Sequence, residues 1–335
     1  MVMPWHETLL GKLLRDRERL AHAFLVHGPE GIGKLAFAEA AAQSLLCERP
    51  AAAGAACGAC PGCTWFTQGS HPDFRRLAPA QPDESDEGGE GREKKASDQI
   101  DVKQVRALES FINLSSHRGG ARVIVVHPAE ALNPSAANAL LKSLEEPPPQ
   151  TYFLLVAHRW HYLLPTIRSR CRLVGLALPE PDAALAWLTG EGVAAPELAL
   201  AHAGGAPLAA AALDDEYWAV RKRLLDLLAR AFDPLAAADE LRDVEPARMA
   251  ALLQKWSYDL VLQQASGRVR YNPDCAEALA GIAARLDRLE TARFHRRIVQ
   301  LQRVVPHPLN ARLFLESMLV DCAELLRGTD ARRAA

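Results

Sequence analysis

Apolar positions in the first half of the chain fall into two alternating kinds of run. Ala23-Phe24-Leu25-Val26 is short and continuously apolar and passes at once into Gly28 and Pro29, which predicts a buried strand entering a glycine-rich loop. The alanine-rich stretch from Lys34 to Leu46 suits a helix. From Ile100 onward, Val102, Val105, Leu108 and Ile112 recur at helical spacing, and Val123-Ile124-Val125-Val126 is the β-branched run of a central parallel strand. Asn133-Pro134 gives a cap followed by a first-turn proline, Leu140, Leu141 and Leu144 supply a buried face, and Pro147-Pro148-Pro149 stops the helix. A third buried strand follows at Tyr152-Phe153-Leu154-Leu155-Val156. Alternating strand and helix predict a parallel α/β domain.

Beyond about residue 176 the β-branched runs vanish. Alanine- and leucine-rich amphipathic segments take over, broken at Gly190–Gly192, Gly204-Gly205-Ala206-Pro207, Asp233-Pro234 and Pro306–Pro308, so this half is expected to be helical. No fixed-period repeat marks it as a solenoid. The expected division is an α/β domain over 1–176, a small helical unit over 177–210 and a helical bundle over 211–335. Residues 80–97 are acidic and glycine-rich with almost no apolar anchor, which predicts a solvated loop.

At 335 residues the chain has room for two or three units, each with its own core, and 49% hydrophobic with 24% charged residues fits an ordinary globular protein. No stretch approaches the roughly 18 uninterrupted apolar residues of a membrane span, and the N-terminus lacks the layout of a signal peptide. A cytoplasmic protein with no membrane partner is expected. The net charge of -2 argues against strong autonomous DNA binding, so any nucleic-acid contact should be local or shared with partners. Seven cysteines are too few for a disulfide scaffold in a chain this long, which leaves their clustering to decide their meaning.

Gly28-Pro29-Glu30-Gly31-Ile32-Gly33-Lys34 fills seven positions of the Walker A phosphate loop, in which backbone N–H groups cradle phosphate and the lysine neutralises it. The next position should be a Ser or Thr that ligates Mg²⁺; here it is Leu35, which cannot. After the strand at 123–126 an active site needs an acidic residue at the tip, and the chain offers His127-Pro128-Ala129-Glu130, with Glu130 three residues on, in a turn or helix start. A vestigial loop built on Gly28, Gly31, Gly33 and Lys34 is expected, with ATP and Mg²⁺ binding weak or absent. Cys47, Cys57, Cys60 and Cys63 have the spacing of a closed tetrahedral Zn²⁺ site, structural because four protein ligands leave no open position. Cys171, Cys275 and Cys322 are isolated and expected to be buried thiols; His71 is expected to cap the cysteine module.

The phosphate loop, the four-cysteine module just after its helix, the string Asn138-Ala139-Leu140-Leu141-Lys142-Ser143-Leu144-Glu145-Glu146-Pro147-Pro148, and Ser169-Arg170-Cys171 together resemble the bacterial clamp-loader subunits of DNA polymerase III. The resemblance covers residues 20–180 well. It implies an AAA+ (RecA-like) P-loop domain with an inserted zinc module, a helical lid domain and an all-α collar domain. Active gamma/tau members carry sensor threonines where this chain has Ala157-His158 and a sensor arginine where it has Leu208. With Leu35 and His127-Pro128, these departures favour the non-hydrolysing delta-prime branch over gamma/tau. The resemblance further implies a heteropentamer with gamma/tau and delta subunits that loads the sliding clamp onto primer-template DNA. Within it, Arg170, beside Ser169, would act as an arginine finger on a neighbour's ATP. Arg168 and Arg172 are expected as surface or DNA-side charges. The start of the Asn133–Glu146 helix and the loop His117-Arg118-Gly119-Gly120 are candidate DNA contacts. An active gamma/tau-type ATPase and a zinc-containing nucleic-acid-binding protein are the alternatives.

Overall fold

The computed structural model describes residues 2–15, 19–51, 54–80, 98–113, 120–302 and 310–327. Two units divide the chain, Met1–Pro179 and Glu180–Ala335.

In the first unit the continuous apolar runs become the middle of a five-stranded parallel sheet. Its strands are β1 (Ala23–His27), β2 (Phe74–Leu77), β3 (Arg122–Val126), β4 (Thr151–Ala157) and β5 (Arg172–Gly175), in the order β2-β3-β4-β1-β5. Helices α1 (Glu7–Leu14), α2 (Lys34–Leu46), α3 (Pro61–Thr67), α4 (Val102–Asn113), α5 (Pro134–Glu145) and α6 (Pro165–Arg168) complete the unit. Because side chains alternate across a strand, Leu25, Ile124, Val126, Phe153 and Leu155 face one way and pack with Val105 and Leu108 of α4 and Leu140 and Leu144 of α5. The intervening residues face the other way, where α2 packs against β3 and β4 and buries Phe37. Leu140 is fully buried, so truncation to Ala there would cost about 2–5 kcal/mol. The cap on α5 forms as its sequence predicts: the Ala136 N–H donates to Asn133 Oδ1 at 2.8 Å, with Pro134 in the first turn. The two edge strands were not foreseen. Their sequences, Phe-Arg-Arg-Leu and Arg-Leu-Val-Gly, carry exposed residues because one side of each has no neighbouring strand.

In the second unit every regular element among the described residues is helical: α7 (Pro181–Gly190), α8 (Pro196–His202), α9 (Pro207–Ala211), α10 (Asp215–Leu228), α11 (Pro234–Glu240), α12 (Pro246–Ser266), α13 (Ala276–Ala283), α14 (Arg288–Leu301) and α15 (Ala311–Arg327). Helices α7 to α9 bury a small cluster of Ala184, Leu188, Ala199, Leu200 and Ala210. The longest helix, α12, packs against α13, α14 and α15 and centres a larger cluster around Trp256, Leu253, Ile298 and Met318.

A buried polar network ties these helices. His202 of α8 sets Nδ1 2.9 Å from the Tyr271 carbonyl and Nε2 2.9 Å from the Tyr217 hydroxyl of α10. Asp259, fully buried on α12, accepts from the N–H groups of Arg270, Tyr271 and Asn272 and from the Asn272 amide. Arg221 meets both oxygens of Asp274, at 2.9 and 2.5 Å, and donates to Asn272 Oδ1 at 3.1 Å. No helix among the described residues is long and apolar enough to cross a membrane. The acidic segment expected to be solvated lies, from residue 81 to 97, outside the described residues.

Candidate functional site

The carboxyl ends of parallel strands are where α/β folds gather ligand-binding loops. Here β1 opens into the glycine-rich loop 28–34, β3 into His127 and β4 into His158. Gly28, Gly31 and Gly33 take φ values of 152°, 77° and 93°, the left-handed side that glycine alone adopts freely. Packing constrains two of them further. A Cβ on Gly28 would lie 2.2 Å from the Leu176 carbonyl oxygen, and one on Gly33 would lie 2.5 Å from Cγ of Met3. The N-terminal segment lies against the loop through a 3₁₀ turn, Pro4–His6, whose Trp5 Nε1 and His6 Nε2 both donate to the Ile32 carbonyl at 3.1 and 2.9 Å.

Lys34 begins α2 and is buried. Its ammonium donates to Pro29 O of its own loop at 2.5 Å, and burial lowers its pKa to about 8 against the opposing pull of Glu30 and Glu130. Leu35 follows, half-buried and without a ligand atom. Glu130, in the 3₁₀ turn Ala129–Ala131, is committed elsewhere: its Oε1 accepts from the N–H groups of His158 and Arg159 at 2.8 and 2.9 Å, while Oε2 is buried with no hydrogen-bond partner among the described residues.

Imidazoles occupy what remains of the site. His127 and His158 meet edge to face at 5.4 Å, and His27, the last residue of β1, lies 5.0 Å from the Trp160 ring. Burial, then the neighbouring His158 and Arg76, lowers His127 to about 4. Burial likewise lowers His158, with Lys34 adding to it, and His27, with His161 adding to it. Neutral imidazole is a poor partner for Mg²⁺, a hard cation that favours oxygen. Trp5, His6, His27 and Trp160 were not singled out from sequence; for His27 the available signal was its place directly after an apolar run and before the glycine loop.

The cysteines do come together. Cys47 closes α2 and Cys60 caps α3, where its sulfur accepts from the Cys63 N–H at 3.4 Å; the Cys57 N–H donates to Cys47 Sγ at 3.3 Å. All four sulfurs lie within 4.8 Å of one another, with Cys47 and Cys60 Sγ 3.8 Å apart. A tetrahedron of sulfurs about 2.3 Å from zinc has edges of about 3.8 Å, so these residues fit a closed site. Burial opposes ionisation of Cys60, yet the Cys63 and Glu48 backbone groups outweigh it and hold the thiol at about 6, while burial and the neighbouring Cys60 push Cys63 up to about 12. His71 is not part of the sulfur cluster: it is buried against the Trp65 ring, and its Nδ1 accepts from the Asp73 N–H at 3.1 Å. Of the isolated thiols, Cys171 and Cys322 are buried, whereas Cys275 is only half-buried beside Asp274.

Ser169, Arg170 and Cys171 form the turn between α6 and β5. Cys171 points inward, where burial raises its thiol to about 12, and Arg170 points outward with its side chain 34% exposed. Arg170 pairs with Glu145 of α5 at 2.5 Å and donates to Thr166 O at 2.9 Å; Ser169 Oγ bonds the same carbonyl at 3.0 Å. The string 138–148 and the Ser-Arg-Cys turn thus meet. Arg168, expected as a surface or DNA-side charge, is half-buried over the Trp160 ring at 5.4 Å. Arg172 is exposed on β5. Of the DNA candidates, the α5 start presents exposed Pro134 and Ser135, while His117–Gly119 lie outside the described residues. Ala157 ends β4, and Leu208 lies on α9 in the second unit.

The family model for DNA polymerase III, delta subunit, matches residues 8–180. The DNA polymerase III subunit delta' of Pseudomonas aeruginosa is 45% identical over 213 residues, covering 62% of this chain and 60% of the relative. That of Escherichia coli K12 is 36% identical over 232 residues, covering 68% and 65%, so each of these matches spans less than two thirds of the relative. The Yersinia pestis subunit is 34% identical over 301 residues, covering 84% of both chains. With the family's match over the sheet-bearing unit and a relative aligned along most of its length, the chain belongs to the family of DNA polymerase III delta-prime subunits.

Proposed function

We propose that the chain is the non-hydrolysing AAA+ subunit of a clamp loader, joining gamma/tau and delta subunits in a cytoplasmic heteropentamer that places the sliding clamp on primer-template DNA. The observation that carries this reading is the make-up of the phosphate loop and its surroundings: Lys34 is bonded to its own loop, Leu35 replaces a metal-binding hydroxyl, and His127 stands where a carboxylate would be needed. A gamma/tau-type ATPase would require those groups to do work that their chemistry does not permit. Residues 1–176 then serve as the AAA+ domain, 177–210 as the lid and 211–335 as the collar.

Arg170 supplies the chemistry that the chain retains. An exposed ion pair such as Arg170–Glu145 contributes about 0–1 kcal/mol, so exchanging Glu145 for a neighbour's phosphate costs little. A guanidinium contacts two phosphate oxygens at once and keeps its charge, which suits stabilisation of a transferring phosphoryl group across a subunit boundary. Ser169 holds the turn that presents it. Cys47, Cys57, Cys60 and Cys63 would hold a zinc ion whose contribution is structural, pinning the end of α2 to the start of α3.

The test is reconstitution with gamma/tau and delta subunits. The chain alone should show no ATP turnover, and Arg170→Ala should assemble normally yet depress clamp- and DNA-stimulated hydrolysis at the one adjacent site, with clamp loading falling further than total turnover. Arg170→Lys should rescue poorly. Wild-type loading by a normally assembled Arg170→Ala complex would refute the arginine-finger role.

A further inference from the structure

We propose that the helical bundle of the second unit binds an acidic peptide from a partner protein, inserting one large apolar side chain of that peptide into a cavity ringed by arginines. The cavity, about 130 Å³, opens among the C-terminal ends of α10, α13 and α15. Leu228 and Ile282, 2% and 6% exposed, form its floor, and half-buried Phe232 forms a wall. Arg230, Arg285 and Arg327 stand exposed at its rim, and among the described residues no Asp or Glu lines it.

The rim charge is only partly used by the fold. The C-terminal ends of α10 and α13 converge here with the last described turn of α15, each of those two ends worth roughly half a negative charge, and Arg285 Nε donates to the Gly281 carbonyl near the end of α13. Three guanidinium charges against about 1 negative charge leave roughly 2 positive charges facing outward. Among the described residues none of the three rim arginines forms an ion pair, whereas Arg221, Arg223, Arg248 and Arg297 of the same unit all do.

Size and charge select the occupant. A cavity of about 150 Å³ holds benzene, so at about 130 Å³ this one takes a single phenyl or isobutyl group and is too small for a long acyl chain. The positive rim then calls for carboxylates flanking that group. The chain's own acidic segment, 80–97, contains no large apolar residue, so it does not offer the anchor.

The experiment is calorimetric titration of the full chain with the acetylated, amidated pentapeptide Asp-Asp-Phe-Glu-Asp. Saturable binding that weakens with salt is expected, and replacing the peptide's Phe by Ala should weaken it about ten- to a hundredfold. Ala229→Trp, at an exposed position that plugs the mouth, and the double variant Arg285→Glu with Arg327→Glu should each cost about tenfold or more. Circular dichroism serves as the check that both variants are folded. Absence of saturation up to about 1 mM, equal affinity for the Phe and Ala peptides, or wild-type affinity in both variants would overturn the proposal. Displacement of the peptide by dodecanoate at lower concentration would also overturn it, by assigning the cavity to small amphiphiles.

Discussion

Acid should weaken the helical unit through one buried histidine. The Tyr271 carbonyl facing His202 Nδ1 can only accept, so Nδ1 carries the proton and Nε2 takes the hydrogen of the Tyr217 hydroxyl. Lys255 donates to that same hydroxyl oxygen at 3.1 Å, which fits this orientation. A second proton on the imidazole would have to displace the hydroxyl hydrogen, in a site 1% exposed and close to the cations of Lys255 and Arg221. Burial, reinforced by Lys255, accordingly lowers His202 from 6.5 to about 3. The unfolded chain takes up this proton near pH 6.5 and the folded chain does not until about pH 3, so the stability is fully present above 6.5 and declines as pH falls between those values. At pH 5 the loss is about 2 kcal/mol, a span of about 1.5 pH units at about 1.36 kcal/mol each. Other histidines also have lowered values, so the contrast with His202→Gln isolates this one. Hydrogen-exchange pulses at a fixed pH along a urea series, read in α10 and α12, give the stability of both proteins at pH 7 and at pH 5. The stability gap between wild type and His202→Gln should shrink by about 2 kcal/mol on acidification. A gap independent of pH would show that His202 is not held neutral by its surroundings.

Elemental analysis should find about one zinc per chain, and Cys60→Ser should lower both the metal content and the protection of α3 in hydrogen exchange; metal-free wild-type protein after careful purification would refute the zinc assignment. Leu35→Thr combined with His127→Asp should leave ATP turnover undetectable, since Glu130 stays bonded to His158 and Arg159 and Ala157 and Leu208 remain; robust hydrolysis in that variant would mean that the loop is closer to function than its geometry implies. Asp259→Asn should destabilise the helical unit by about 1–3 kcal/mol, because an amide N–H₂ would then face backbone donors. An unchanged urea midpoint would show that the network contributes nothing.

What the sequence disclosed depended on how local each feature is. The central strands and α2 are written in contiguous letters, as are the capping pair Asn133-Pro134 and the cysteine spacing, and each formed where its pattern places it. Edge strands β2 and β5 escaped because pairing on one side only leaves them half-exposed, so Arg75, Arg76 and Arg172 mask the apolar signal. That Leu35 and His127 offer no hydroxyl or carboxylate was legible, but the gathering of imidazoles at the strand ends was not. His127 and His158 are far apart in the chain and meet because β3 and β4 are neighbours in the sheet, while His27 ends β1 on the other side of β4. The same reasoning explains Arg168: its stacking on Trp160 needs a turn of the chain that no spacing rule encodes.

The two loop glycines that press against Leu176 and Met3 separate ancestry from activity. Any side chain at position 28 would drive into a main-chain oxygen, and any at position 33 would meet the N-terminal segment. A sequence folding this way favours both glycines whether or not a phosphate ever enters the loop, Gly28 for the main-chain clash and Gly33 for its φ of 93° and the Met3 side chain against it. The letters that announce nucleotide binding are therefore also the letters of a tight backbone crossing, and their survival records the architecture. A position where the backbone itself sets no such demand, such as the one filled by Leu35, is the better reporter of whether a loop of this shape can hold a metal-bound nucleotide.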